Sequence, residues 1–300
     1  MKRRLLLLCP LFLISCGKEP AAQPGAASPA SRKPQVYVAN YPLRYLAERL
    51  GGGAVEVKFP APGDEDPAFW QPDDATVSDY QAADLILMNG ATYSKWAEKV
   101  TLPQSRLVDT SAPFKAQYIE IKADSTHSHG PGGEHSHSGT AFTTWIDLQQ
   151  AIQQAGEVAK ALAPHAPEAE KNLAALKADL EALDQRLLAV GKRLANAPLV
   201  ASHPVYHYFA RRYALNLQSV LWEPETVPDD KAMEELKALL AKHPAKWMIW
   251  EGEPAKESVA KLEAIGVKSV VFDPCGNVPD VGDFLTVMKA NVEALEKAFP

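Results

Sequence analysis

Three cysteines in 300 residues are too few for a disulfide scaffold. Basic charge is short as well: 31 Lys and Arg stand against 37 Asp and Glu, for a formal net charge of −6. The chain lacks the basic surface that nucleic acid requires, and that class is excluded. No apolar run is long enough to cross a bilayer as a helix. The one at residues 5–14 falls well below the roughly 20 residues needed. There is no helical His-Glu-x-x-His cluster, nor a comparable three-ligand centre with a base, so the sequence argues against a zinc hydrolase and against an enzyme. What is present is ordinary: 46% hydrophobic and 23% charged residues, which suits a globular chain with a sizeable core. The length points to two lobes or one large α/β unit.

The first residues read as an address. Met1-Lys2-Arg3-Arg4, the apolar 5–14 run and then Leu13-Ile14-Ser15-Cys16 form a secretory leader whose end resembles a bacterial lipobox. Cleavage would remove 1–15 as a lipoprotein signal peptide and leave Cys16 as the lipidated first residue, anchored by acyl chains instead of a helix. The other reading is an ordinary signal with a chance cysteine. Cleavage also removes one Lys and two Arg and leaves Cys275 as the sole free thiol, so no internal disulfide is expected. Residues 16–34 are rich in Ala, Pro, Ser and Gly and read as a disordered tether. The expected location is periplasmic or extracytoplasmic, lipid-anchored to a bacterial membrane.

From residue 35 strand-like and helical segments alternate, the pattern of parallel sheets with helices on both faces. Strands at 35–39, 55–59, 84–88 and 106–108, with helices at 43–50, 77–83 and 93–100, give an N-terminal lobe over 35–147. Strands at 199–202, 218–221, 247–250 and 270–272, with helices at 206–213, 231–242, 256–265 and 283–298, give a C-terminal lobe over 197–300. A helical segment at 148–196 separates them, with one long helix at 167–196. Pro167 suits its first turn, and Leu173, Leu176, Leu180, Leu183, Leu187 and Leu194 fall on one stripe. The fold class is α/β: two lobes, each a roughly four-stranded parallel sheet flanked by helices, joined by one long helix. The stripe also suits a coiled-coil dimer. A strut packed along both lobes of a monomer fits the flanking pattern better.

Ligands of open parallel sheets bind beyond the carboxyl ends of the strands. In the first half those positions hold Asn40, Asp64-Glu65-Asp66, Asn89 and Asp109. In the second they hold His203, Glu223, Glu251 and Asp273. Imidazole with carboxylate is a donor set for zinc and its neighbours. Taken singly, His203 also reads as a capping or core histidine, and each acid as a turn or N-cap. The loop 126–139 carries His127, His129, His135 and His137, four of the eight histidines, in two His-x-His pairs across a Gly/Pro hinge. Neutral imidazoles at that density bind zinc, copper or nickel. His165 and His243, beside prolines at helix ends, read as surface caps. Trp70, Trp222 and Trp250 read as cleft walls or plain core.

Several stretches resemble the zinc/manganese solute-binding lipoproteins of bacterial ABC importers (ZnuA/TroA-like). They are 202–213, beginning Ser202-His203 and containing Tyr208-Phe209; Ala83-Asp84-Leu85 through Asn89-Gly90 and Trp96; Trp145-Ile146-Asp147; and Val271-Phe272-Asp273-Pro274. The resemblance covers nearly all of 35–300. It implies a metal held in the interlobe cleft by four side chains, two from each lobe. In the C-terminal lobe His203 and Asp273 stand at ligand positions. In the N-terminal lobe the two family histidines correspond to Ala68 and Thr143, of which the first cannot coordinate and the second is a poor ligand for zinc. Glu65 and Asp66, on the same loop as Ala68, are the substitute donors this sequence offers, with the four loop histidines beside them. His207, Glu251 and Cys275 are the candidate supporting residues.

The reading is therefore a membrane-tethered extracytoplasmic receptor that captures a divalent transition metal, zinc first with manganese or copper as alternatives, and delivers it to an ABC transporter permease. Two rivals stand beside it. One is a lipoprotein metal buffer or metallochaperone acting through the His-rich loop. The other is a receptor reshaped for a metal chelate or another small solute.

Overall fold

The computed structural model describes residues 32–121 and 139–300, together with the backbone of 126–128 and 134–136. Cys16, His129 and His137 lie outside the described residues. Residues 33–300 form one compact unit. In chain order its elements are β1 (Gln35–Val38), α1 (Tyr41–Gly51), β2 (Glu56–Lys58), α2 (Asp74–Ala82), β3 (Leu85–Met88), β4 (Leu107–Asp109), β5 (Glu120–Ile121), β6 (Thr126–Ser128), β7 (Glu134–Ser136), β8 (Gly139–Thr140), α3 (Leu148–Leu162), α4 (Ala169–Leu194), β9 (Pro198–Ala201), α5 (His207–Arg212), β10 (Asn216–Ser219), α6 (Asp230–Lys242), β11 (Trp247–Trp250), α7 (Lys256–Ala264), β12 (Lys268–Val271) and α8 (Phe284–Ala298).

Two four-stranded sheets organise the unit, as the alternation of strands and helices predicts. Their orders are β2-β1-β3-β4 and β10-β9-β11-β12, and every pairing within them is parallel. Both follow one plan: the first strand of each half lies inside, with the second on one side and the third on the other. The chain direction across the sheet therefore reverses between β1 and β3, and again between β9 and β11. These are the switch points where open sheets leave a crevice beyond their strand tips. β5 pairs with β8 and β6 with β7 as short antiparallel ladders.

Local sequence explains the element ends. Asn40, Asp73, Asp147, Asp229 and Asp283 cap α1, α2, α3, α6 and α8 by accepting backbone N–H groups of the first turn. Asp73 starts α2 three residues earlier than the apolar pattern predicts. The helix expected at 93–100 is instead a 3-10 turn at Lys95–Lys99. Ala91 and Thr92 stand just before it with φ of 49° and 58°, and this left-handed kink uses up the chain where a helix would begin. β10 lies two residues earlier than expected. α4 starts two residues later and ends two earlier, with Ala195 in the left-handed conformation as its cap.

α4 packs against α1, α3 and α8. Its buried Leu176, Leu180, Leu183, Leu187 and Val190 belong to one continuous core that also contains Val36, Leu46 and Leu87 of the first half and Leu199, Ile249 and Phe272 of the second. At Gly191 a Cβ would meet the Tyr213 carbonyl oxygen at 2.2 Å, so only glycine allows α4 to lie against the end of α5. Asp184, wholly buried on the same helix, accepts hydrogen bonds from Arg212 Nε at 3.0 Å, Tyr213 Oη at 3.1 Å and Gln149 Nε2 at 3.1 Å. It thus joins α3, α4 and α5. One expectation is corrected here. His243 is buried, with Nε2 2.8 Å from the Leu199 carbonyl oxygen, because the turn after α6 folds inward toward β9. Of the two readings for Trp70, Trp222 and Trp250, the core one holds: they are buried in two satellite cores.

Replacing Asp184 with alanine strands the Arg212 guanidinium beside a dry helix interface. The expected loss is about 3 kcal/mol of unfolding free energy in urea titration, at the low end for breaking a buried pair because Arg212 is partly exposed. A loss below about 1 kcal/mol would show that the cluster does not hold the helices together.

Candidate metal centre

The second sheet presents its donors from neighbouring strands. His203 follows β9, Glu223 follows β10 and Glu251 immediately follows β11; β9 lies between the other two in the sheet. Parallel strands lie about 4.8 Å apart, so donors on adjacent tips are brought within reach of one ion. One ligand atom from each of the three residues lies within 4.8 Å of the others. His203 Nδ1 stands 3.4 Å from Glu223 Oε1 and 3.6 Å from Glu251 Oε1. The imidazole is 5% exposed, held at the floor of the crevice. Tyr206, packed on Phe272 and donating its hydroxyl to the Phe272 carbonyl, fixes the turn that follows His203.

The electrostatics match a cation site. Burial, then Glu225 and Asp66, pushes the Glu223 carboxyl up to about 7. Burial, then Glu223, Asp66, Glu225 and Asp273, raises Glu251 well above the ordinary carboxylate range. Asp66, carried by the N-terminal half, is also raised by its surroundings. It is open to water by surface area, yet enclosed at longer range by protein. Its charge raises Glu223 and Glu251. A divalent ion would relieve the repulsion among these acids.

The N-terminal half reaches this point through its loops. The Asp66 backbone carbonyl accepts from Phe69 and Trp70, and its Oδ1 accepts from the Ala68 N–H at 2.9 Å. Asn277, in the turn after β12, donates its side-chain amide to the carbonyls of Pro62 at 2.7 Å and Glu65 at 2.8 Å. Trp145 Nε1 donates to the Pro274 carbonyl at 2.7 Å. The acidic loop is thereby tied to the opposite half.

The remaining candidates fall elsewhere. Asp273 is not one of the three clustered residues. It stands on the tip of β12, two strands from β9, with β11 between. Its Oδ1 accepts the Cys275 N–H at 2.6 Å, and Asn291 holds its backbone on both sides. Glu65 is exposed, and its backbone carbonyl is what Asn277 grips. Cys275 is buried, and burial ahead of Asp273 and Asp283 pushes its thiol far up, which disfavours the thiolate a metal needs. His207 is half-buried, and desolvation lowers its pKa. It lines a small crevice with Thr143, Lys95 and Phe142, away from the three clustered residues. Thr143 donates its hydroxyl to the Val205 carbonyl, and Ala68 is 2% exposed in the core. The backbones of His127 and His135 are opposite one another in the β6–β7 ladder. Glu223 is the residue the sequence passed over among the candidates, although its place just beyond a strand was the signal.

In the first half, Asn40, Asn89 and Asp109 are committed to internal hydrogen bonds. Asn40 and Asn89 stand at its switch point, and Asn40 Nδ2 donates to Asn89 Oδ1 at 3.2 Å. Gln154 donates to Asn89 Oδ1 and Thr110, and Asn89 donates to the Phe142 carbonyl. Asp109 Oδ1 accepts from the Ser111 N–H and hydroxyl. These groups are consumed in structure.

Comparison with known proteins agrees with this architecture. A family profile described as zinc-uptake complex component A, periplasmic, matches residues 36–298. The high-affinity zinc uptake system protein ZnuA of Bacillus subtilis is 24% identical over 311 aligned positions, covering 97% of this chain and 95% of that protein. The crystal structure of the metal-dependent lipoprotein YcdH from Bacillus subtilis superposes with a TM-score of 0.73 at 19% identity, over 88% of this chain and 98% of that one. The Zn(II)-bound ZnuA-like domain of Streptococcus pneumoniae AdcA gives 0.73 at 18% identity, over 89% and 99%. With two sheets of one plan, a shared core and a profile match along almost the whole described unit, this chain belongs to the family of zinc-uptake complex component A.

Proposed function

We propose that this protein is the extracytoplasmic receptor of an ABC importer for a divalent transition metal, zinc foremost, tethered through lipid on Cys16 and delivering its ion to the permease. The observation that carries the reading is the convergence of His203, Glu223 and Glu251 within 4.8 Å at a sheet switch point. The kinship supports it: the Bacillus subtilis relative is named a zinc uptake protein and the Streptococcus pneumoniae domain is Zn(II)-bound. The mechanism is capture and release, and the ion is cargo. An imidazole gives preference for transition metals over calcium and magnesium. Carboxylates supply the charge that offsets desolvation of a dication.

Two measurements test it. Isothermal titration of residues 33–300 with zinc should show binding tighter than micromolar, weakened at least tenfold in His203→Ala. Absence of any such binding would remove the receptor reading. The second concerns pH. A carboxyl whose folded pKa is raised holds its proton more tightly when folded, so it costs stability as pH rises from its unfolded value through the folded one. For Glu223 that window runs from 4.5 to about 7. Metal-free Glu223→Gln should therefore melt several degrees above the unsubstituted protein at pH 8, with the difference closing below pH 5. Equal melting temperatures at pH 8 would contradict the crowding of acids.

A further inference from the structure

We infer that the C-terminal half carries a second ligand site, at the end of its sheet opposite the metal crevice, which takes an anionic amphiphile: an alkyl carboxylate or a lipid with an acidic head. The site is independent of the receptor reading, since none of the metal donors takes part in it.

Topology makes the site. In a parallel sheet the first residues of the strands gather at one edge and the last at the other. Pro198 and Leu199 open β9 and Trp247 opens β11, whereas His203 and Glu251 lie beyond the far ends of the same two strands. Each strand is four residues long, which sets the two places about 13 Å apart. The last turn of α4 and the end of α8 close over the first residues and leave a cavity of about 350 Å³. Ligand sites span roughly 300–1,000 Å³.

The floor is apolar. Leu199 and Phe299 are buried, Leu194 and Trp247 are half-buried, and the Trp247 and Phe299 rings meet edge to face at 5.1 Å. Leu194, Leu199 and Phe299 also bound a smaller void of about 10 Å³, whose other walls include Ile249 and Leu295 of the core. Packing is thus loose where a hydrocarbon tail would enter.

The rim is cationic. Arg193 and Lys246 line the opening, and Lys268 lies over the Trp247 ring at 5.3 Å. All three are exposed, and none forms an ion pair among the described residues. Arg193 gives Nε to the Phe299 carbonyl at 2.8 Å and keeps its two terminal nitrogens for a ligand. Glu296 feels Arg193, but both its carboxylate oxygens are held by Arg186. Arg193 complements the negative end of α4. Lys246 and Lys268 stand at strand starts, where no helix dipole accounts for them. No acidic side chain, histidine or cysteine lines the cavity, so it does not suit a metal ion. A tail on the floor with its acidic head at the guanidinium and ammonium groups satisfies both surfaces.

The test titrates residues 33–300, which form one compact unit, with sodium decanoate kept below its micelle concentration. One decanoate per chain should bind, at least tenfold more tightly than decylamine, which has the same tail and the opposite charge. Arg193→Gln and Lys246→Gln should each weaken binding at least threefold. Ala197→Trp, which fills the opening from an exposed position, should abolish it. Thermal melts of each variant establish that it is folded. Sedimentation with phosphatidylglycerol vesicles, against phosphatidylcholine, separates the two sources. Co-sedimentation that is lost in Ala197→Trp assigns the lipid head, and decanoate binding without co-sedimentation assigns the free carboxylate. No binding in either assay, binding that survives Ala197→Trp, or equal binding of decylamine would overturn the site.

Discussion

The structure depends on crowding like charge around one imidazole at the place where the second sheet reverses direction. Burial raises the pKa of Glu223, Glu251 and Asp66; Glu225 and Asp66 raise Glu223 further, and Glu223, Asp66, Glu225 and Asp273 raise Glu251 further. A fold gains nothing from such an arrangement by itself, because desolvated carboxylates facing each other oppose compactness. It persists because the sheet beneath is over-determined. Val200 and Ala201 of β9, with Met248 and Ile249 of β11, are wholly buried and pair in parallel register. The strain of the tips is carried by the core under them.

The two halves repeat one strand plan and spend it differently. At the first switch point Asn40 and Asn89 hydrogen-bond each other and join Gln154, Thr110 and Thr144 in a buried network. Every member is neutral, and the crevice is closed by amide bonds. At the second switch point the corresponding tips are His203 and Glu251, ionisable and turned toward a cleft. One sheet became a scaffold and the other kept its opening. α4 fastens them through a common core, so rotation of one half against the other would expose leucines that are now dry.

Much of this was legible in the residues. Alternating strands and helices gave both sheets, and the leucine stripe of α4 gave the strut. His203 was placed by its position after a strand and by its Ser-His-Pro setting. Asp273 is named by the resemblance and Glu223 is not: which strand lies beside β9, and so which acid comes near His203, depends on long-range pairing that no local pattern encodes. The 3-10 turn at Lys95–Lys99 was misread as a helix, because the left-handed residues before it, Ala91 and Thr92, are neither glycine nor asparagine. His243 was taken for a cap since its proline neighbour suggests a surface turn; its carbonyl partner, Leu199, is 44 residues away.

The grip of Asn277 on the loop at 62–66 has one more consequence. Its two hydrogen bonds fasten the turn after β12 to the segment that bears Asp66, so latch and acidic loop are parts of a single object. Any movement that peels this segment from the opposite lobe withdraws a negative charge in the same stroke. Unlocking the passage and loosening the hold on whatever lies inside it are one event, and no separate hinge is required.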